Sequence, residues 1–132
     1  MSHNKKTTKI VYLAGGFKSG WQDIVMQKAP CAKFLDPRHH GLSAPRDYTS
    51  WDLAAVKKSD LVFACLEKNN PGGYALALEL GYAKALNKKI IFVDATDRNQ
   101  PRKQYLHMLY SVASINCSTL AGGIRVLLDL SR

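Results

Sequence analysis

The chain is poor in the features that mark several large protein classes. No apolar run is long enough to span a bilayer, which argues against an α-helical membrane protein. The opening Met-Ser-His-Asn-Lys-Lys-Thr-Thr-Lys has no apolar segment of the kind a secretory signal requires. Residues 1–8 read as a flexible basic arm ahead of one domain over residues 9–132. Cysteine is scarce and odd in number: Cys31, Cys65 and Cys117 have no metal-site spacing. They read as free thiols in a reducing compartment, so a cytoplasmic location is expected. His39 and His40 are adjacent but no further ligand pattern accompanies them, so neither a metal nor another cofactor is expected. Acidic side chains are few, 10 against 19 Lys and Arg, for a net charge of +9. Such a balance attracts phosphates, on nucleic acid or on a small nucleotide. The basic residues are scattered, however: Lys5, Lys6 and Lys9 on the arm, Lys57, Lys58, Lys88 and Lys89 at element ends. That scatter suits a solvated surface better than a nucleic-acid groove.

What the chain does have is a core-forming share of hydrophobic residues, 46% of 132 residues, the size of one ordinary domain. Short apolar runs alternate with helical stretches. Strands are expected at 9–14, 31–35, 61–66, 89–94 and 112–117, from β-branched runs bounded by turn residues. Helices are expected at 21–28, from a Thr49 or Ser50 cap to about 58, at 74–86, 101–109 and 120–130. The intervening loop 37–48 is long enough to suspect function. Strands alternating with helices predict an α/β three-layer fold of the flavodoxin/Rossmann-like kind, with a five-stranded parallel sheet in the order 2-1-3-4-5. Ligands bind such sheets beyond the carboxyl ends of the strands, at the switch point.

One acidic residue stands out. On the helix from Tyr74, positions 75, 76, 79, 82, 83 and 86 share a face and read Ala, Leu, Glu, Tyr, Ala, Leu. Glu79 therefore lies on the stripe that should pack inward, where an unpaired charge is costly. It is either a paired structural carboxylate or a functional one. Asp52 follows Trp51 near a helix start and reads equally as a surface acid that complements the helix dipole. Gly15-Gly16-Phe17-Lys18-Ser19-Gly20 is a Gly-rich strand-to-helix turn. Its backbone N–H groups, with Lys18 and Ser19, could hold a phosphate, or it could be a plain tight turn.

Together these segments resemble the nucleoside 2-deoxyribosyltransferase family and its N-hydrolase relatives. The matching residues are Tyr12-Leu13-Ala14-Gly15-Gly16-Phe17; Trp51-Asp52-Leu53, with Asp60 eight residues after Asp52; and Asn70-Pro71-Gly72-Gly73-Tyr74-Ala75-Leu76-Ala77-Leu78-Glu79-Leu80-Gly81-Tyr82-Ala83. The likeness spans roughly residues 9–95. It implies an enzyme that cleaves the N-glycosidic bond of a nucleoside or nucleoside 5′-monophosphate, passing the sugar to a base or to water. It implies Glu79 as nucleophile and Asp52 as the acid that hydrogen-bonds or protonates the base. Tyr12, Gly15, Gly16 and Phe17 would lie beside base and sugar, with Trp21, Asn70 and Gly73 also near the substrate. It further implies a homodimer or higher assembly in which a neighbour's segment, here 106–114 with Met108 and Tyr110, completes the site.

The sequence departs from the transferase pattern at Gly73, where an additional acid often stands six residues before the nucleophile. The Gly16–Gly20 turn resembles the phosphate-holding turn of 2′-deoxynucleoside 5′-phosphate N-hydrolases. Pro71-Gly72-Gly73 with Glu79 echoes a phosphoribohydrolase motif that Ala75 and Leu76 break. The Gly-rich turn, the basic balance and the missing acid together lead to the expectation that a 5′-monophosphate is preferred. Two other classes fit the same residues less well: a non-catalytic nucleotide-binding module on this fold, and a basic nucleic-acid-binding domain, which only the +9 charge suggests.

Overall fold

The computed structural model describes residues 8–70 and 73–131. Residues 1–7 of the expected arm over 1–8, and the Pro71-Gly72 pair, lie outside the described residues. Five strands form one parallel sheet: β1 Ile10–Gly15, β2 Lys33–Leu35, β3 Leu61–Leu66, β4 Lys89–Asp94 and β5 Ile115–Cys117. Their order is β2-β1-β3-β4-β5, as the strand–helix alternation predicted. Helices α1 (Trp21–Lys28), α2 (Pro45–Lys58), α3 (Tyr74–Ala85) and α4 (His107–Val112) connect successive strands and α5 (Leu120–Leu130) follows β5, with 3-10 turns at Pro37–His39 and Lys103–Leu106.

Because side chains alternate across a strand, the sheet sorts its residues onto two faces. Val11, Leu13, Phe63, Cys65, Ile91 and Val93 pack with Trp21 and Val25 of α1 and Ile124 and Leu127 of α5. Tyr12, Ala14, Val62, Ala64, Ile90 and Phe92 pack on the other face with Val56 of α2, Leu76 and Leu80 of α3 and Leu109 of α4. Burying both faces explains why the central strands read as continuous apolar runs. The same alternation puts Tyr12 on the face that carries α3.

Several boundaries differ from expectation, most of all in α2 and toward the C-terminus. Helix α2 starts at Pro45, with Ala44 at its N-cap and no side-chain cap. Thr49 and Ser50 are therefore helix interior. Proline suits the first helical position, since the N–H it lacks would be unpaired there anyway. Asp52 consequently lies well beyond the first turn, where the dipole argument for a surface acid has no force. Near the C-terminus the expected helix at 101–109 is displaced: a 3-10 turn precedes α4, which runs to Val112, and β5 is left with only Ile115–Cys117. Asp94 explains the displacement. Thr96, Lys103 and Tyr110 all bond to its carboxylate, Lys103 Nζ at 2.7 Å, and so tie the segment after β4 back to that strand's end.

Candidate active site

The sheet order reverses between β1 and β3: α1 carries the chain from β1 outward to β2, and α2 returns it to β3 on the opposite side of β1. A crevice opens beyond the ends of those strands, as this topology requires. It has two adjoining hollows. The larger, about 360 Å³, is lined among others by Tyr12, Phe17, His40, Tyr48, Asp52 and Glu79. The smaller, about 190 Å³, is lined by Gly15, Gly16, Asn70, Gly73 and Glu79 with Cys65, Leu66, Ala75 and Leu76. Gly15, Ala75 and Glu79 border both.

Glu79 is only 7% exposed, and it is held by the Tyr12 phenol, which donates to its Oε2. Burial pushes the Glu79 carboxyl up; Tyr12 opposes this and the charge of Asp52 adds to it, leaving a pKa of about 7. The N-terminus of α3 adds little to the ionisation of Glu79. Glu79 is the sixth residue of α3, past the turn over which the dipole acts. Burial and the adjacent Glu79 carboxylate both raise Tyr12, so it stays a proton donor.

Asp52 faces the larger hollow from α2. Burial raises its carboxyl, and His40 partly offsets this. His40 Nε2 lies 3.5 Å from Asp52 Oδ1. The Leu42 N–H donates to His40 Nδ1 at 2.9 Å, so Nδ1 is an acceptor and a neutral ring carries its proton on Nε2, toward Asp52. The ring also packs edge-on against Trp51, with centroids 4.9 Å apart.

The Gly-rich turn is built differently from a phosphate cradle. Its Lys18 and Ser19 N–H groups donate to the Glu67 carboxylate at 3.1 and 2.6 Å. Asn70 Nδ2 donates to the same carboxylate at 3.0 Å. Burial pushes Glu67 up, but hydrogen bonds from Ser19, Asn70 and Lys18 outweigh it, and its pKa ends below the usual value. The anion expected from solution is thus supplied by the protein. The Gly16 carbonyl accepts from Trp21 Nε1 and Gln22 Nε2, both at 2.9 Å.

The structure brings Tyr12, Gly15, Gly16, Phe17, Asp52, Asn70, Gly73 and Glu79 to one crevice. Trp21 is elsewhere: it is buried in the core under the turn, stacked on Phe63, and braces the turn from behind. Lys18 and Ser19 have exposed side chains and line neither hollow. Met108 is 80% exposed on α4, away from both hollows. Reading the sequence brought the segments that hold His40, Tyr48 and Glu67 to the switch point but did not name these three as site residues. The length of loop 37–48 was the signal for the first two. For Glu67 the signal was a carboxylate directly after a buried strand, beside the strand that ends in the glycines. Among the described residues no group of three or more His, Cys, Asp or Glu is placed to hold a metal ion, and no helix is long and apolar enough to cross a membrane.

No protein-family profile and no curated protein sequence matches the chain. Solved structures do. A 2-deoxyribosyltransferase from Leishmania mexicana superposes with a TM-score of 0.73 at 17% identity, over 92% of this chain and 97% of that one. A 2-deoxyribosyltransferase from Bacillus psychrosaccharolyticus gives 0.68 at 17% identity, over 86% and 88%. A CMP N-glycosidase, BcmB of Clostridium botulinum, gives 0.59 at 20% identity, over 90% and 98%. At these identities the likeness establishes a shared fold across nearly the whole chain.

Proposed function

We propose that the chain is an N-glycosidic enzyme of the nucleoside 2-deoxyribosyltransferase type, acting on a nucleoside or nucleotide with Glu79 as nucleophile. One observation carries the reading: a buried carboxylate, held by a phenol, stands where the two hollows meet and shares the larger one with Asp52. A sugar in the smaller hollow and a base in the larger would put the anomeric carbon beside Glu79. Phe17 and Tyr48 line the larger hollow, where a base would meet aromatic side chains.

In this reading the N-glycosidic bond breaks through an oxocarbenium-like transition state that the Glu79 carboxylate stabilises. Tyr12 occupies Oε2, so Oε1 is the oxygen left to bond the anomeric carbon. The bond's electron pair leaves with the base nitrogen, which Asp52, with its raised pKa, can protonate or hydrogen-bond. Water or a second base then attacks the glycosyl ester and frees the carboxylate, with net retention.

The partner surface of the reading has its own support. Tyr105, just before α4, and Met108, on it, are 75% and 80% exposed, while Tyr74 and Leu78 are 89% and 59% exposed on α3, which packs against α4. Exposed large apolar side chains on two adjoining helices suit a homo-oligomeric contact.

The test is to incubate the chain with nucleosides and their 5′-monophosphates, with and without a free acceptor base, and to identify products. Glu79→Ala should lower turnover by about 10³ or more while circular dichroism is unchanged. Near-normal turnover in Glu79→Ala would rule the mechanism out.

A further inference from the structure

Lysines that lie scattered along the sequence are gathered by the fold. The strands run parallel, so their amino ends share one edge of the sheet, opposite the crevice. Helices α1, α2 and α3 return to that edge and end there. Lys9 precedes β1, Lys33 and Lys89 begin β2 and β4, and Lys88 comes just before β4. Lys33 lies across from Ile10 and Lys89 across from Leu61, so these strands start nearly level. Lys28, Lys57, Lys58 and Lys84 occupy the last turns of α1, α2 and α3. Lys88 is half-buried and the others are exposed. Two acids share this end. Asp60 accepts from the Ile10 N–H at 2.8 Å, and Asp129 lies in the last turn of α5. The chain's other acids lie toward the crevice, and so do all the ion pairs among the described residues, none of which involves these lysines. The net charge of +9 is thus polarised. Acids and bases nearly cancel at the crevice end, and the surplus sits at the other.

Local causes explain part of this. A lysine in the last turn of a helix complements the dipole, which accounts for the four on helices. It does not account for the four at strand starts. Guarding an open sheet edge applies to Lys33 alone, since β1, β3 and β4 are interior strands. We infer that this end of the molecule docks on the phosphate backbone of a duplex nucleic acid, without reading its sequence. A duplex carries one phosphate charge per about 1.7 Å of axis. Strands spaced about 4.8 Å apart spread Lys33, Lys9 and Lys89 over roughly 15 Å, so several phosphates are met at once. Lysine supplies point charges rather than the planar fork that reads a base edge. A single strand would need aromatic platforms, and the exposed rings of Phe17, Tyr48, Tyr74 and Tyr105 lie toward the crevice end. Stable attachment to a membrane needs an apolar anchor beside the basic patch. Among the described residues this end offers only Ile115, 37% exposed at the start of β5. The surface lies across the sheet from Glu79, so the inference is independent of the chemistry proposed for the crevice.

The experiment is fluorescence anisotropy of a labelled DNA duplex of about 20 base pairs, titrated with the full chain. At about 50 mM salt the Kd should be on the order of 1–10 µM, and log Kd should rise with log salt with a slope of about 3–5. A duplex of unrelated sequence should bind within about threefold, and the single strand more weakly. Lys9→Glu, Lys33→Glu, Lys58→Glu and Lys89→Glu together should weaken binding by about thirtyfold or more. The control reverses as many charges at the crevice end, with Arg46→Glu, Lys68→Glu, Arg98→Glu and Arg102→Glu, and should weaken it by less than about fivefold. If circular dichroism shows either set unfolded, the same positions are changed to Gln in both, and the contrast between the sets decides. No duplex binding at the low salt overturns the inference. An equal loss in the two sets overturns it as well, since net charge alone would then be responsible. Tighter binding of the single strand would overturn it, as would capture by phosphatidylserine vesicles at a salt concentration that leaves the duplex free.

Discussion

Tyr12 on β1 donates its phenolic proton to Glu79 on α3, a hydrogen bond between residues 67 positions apart in the chain. Strand alternation directs Tyr12 to the α3 face, and the inward stripe of α3 directs Glu79 back at it. The bond stabilises the ionised form of a carboxylate that burial would otherwise hold neutral.

The pH dependence follows. A nucleophilic carboxylate must be ionised, so kcat/KM should rise with pH to a plateau, with a midpoint near 7. Tyr12→Phe removes the group that lowers the Glu79 pKa. The midpoint should move up by about one unit or more, and the rate at pH 7 should fall roughly tenfold. A pH–rate profile whose rising limb stays in place would count against this coupling.

Stability should carry the same signature with its own sign. The folded-state pKa of Glu79 is raised above 4.5 to about 7, so between those values the folded state holds more protons than the unfolded one. Its contribution is fully present below pH 4.5 and is lost as pH rises through about 7. Glu79→Gln, which cannot ionise, should therefore be more stable than wild type at pH 8, by about 1–3 kcal/mol. The gap should close toward pH 4.5. Urea midpoints of both proteins across this range measure it.

Gly16→Ala should disturb the crevice rather than the core. The added methyl would collide with Glu67 Oε1 and Asn70 Nδ2, each 2.1 Å away. Those side-chain ends can move only by giving up their hydrogen bonds with each other and with the turn. The expected result is a weakened substrate complex, with KM raised about tenfold, and a thermal midpoint lowered by only a few degrees. A KM equal to that of wild type would contradict the packing described.

Gly123→Ala should do the reverse. Its Cβ would lie 2.4 Å from Val93 Cγ2 and 3.0 Å from Phe63 Cζ, where α5 rests on the sheet. Overpacking there should cost about 1–3 kcal/mol in denaturant unfolding, while the folded fraction keeps wild-type kcat/KM. An undiminished urea midpoint would show that α5 can lift without penalty.

The oligomeric contact is tested by Met108→Glu with Tyr105→Glu. Two carboxylates on that exposed apolar surface should convert an assembly to monomers in sedimentation velocity. Wild type that sediments as a monomer at micromolar concentration would remove the contact from the reading.

The layered fold was legible in the sequence because both sheet faces are covered: buried strands show as β-branched runs, and α3 and α5 punctuate them. The ends of the chain's smaller elements were not. Pro45 starts α2 without a polar cap, and Asp94 draws the segment after β4 into a 3-10 turn and a short helix through side-chain bonds that no local pattern encodes. At the candidate site, Glu79 announced itself as a charge on an apolar stripe. Glu67 did not, because its partners Lys18 and Ser19 are nearly 50 residues away, and only the pairing of β1 with β3 makes them neighbours. Trp21 was misplaced for a related reason: a residue that follows a Gly-rich turn can face the ligand or support the turn, and only the packing against Phe63 decides.

That pairing also bears on how the protein reaches its native state. Strand β1 lies between β2 and β3, and Val11 pairs with Leu61 across the whole of α1, β2 and α2. Closing so long an intervening loop is entropically slow, and parallel pairings of this kind lengthen folding times. Tyr12, Glu79, the Gly16 turn and Glu67 become neighbours only once that closure is complete. Recovery of substrate binding after dilution from denaturant should therefore trail helix formation and coincide with the last step of sheet assembly, so that the crevice reports on refolding of the entire chain.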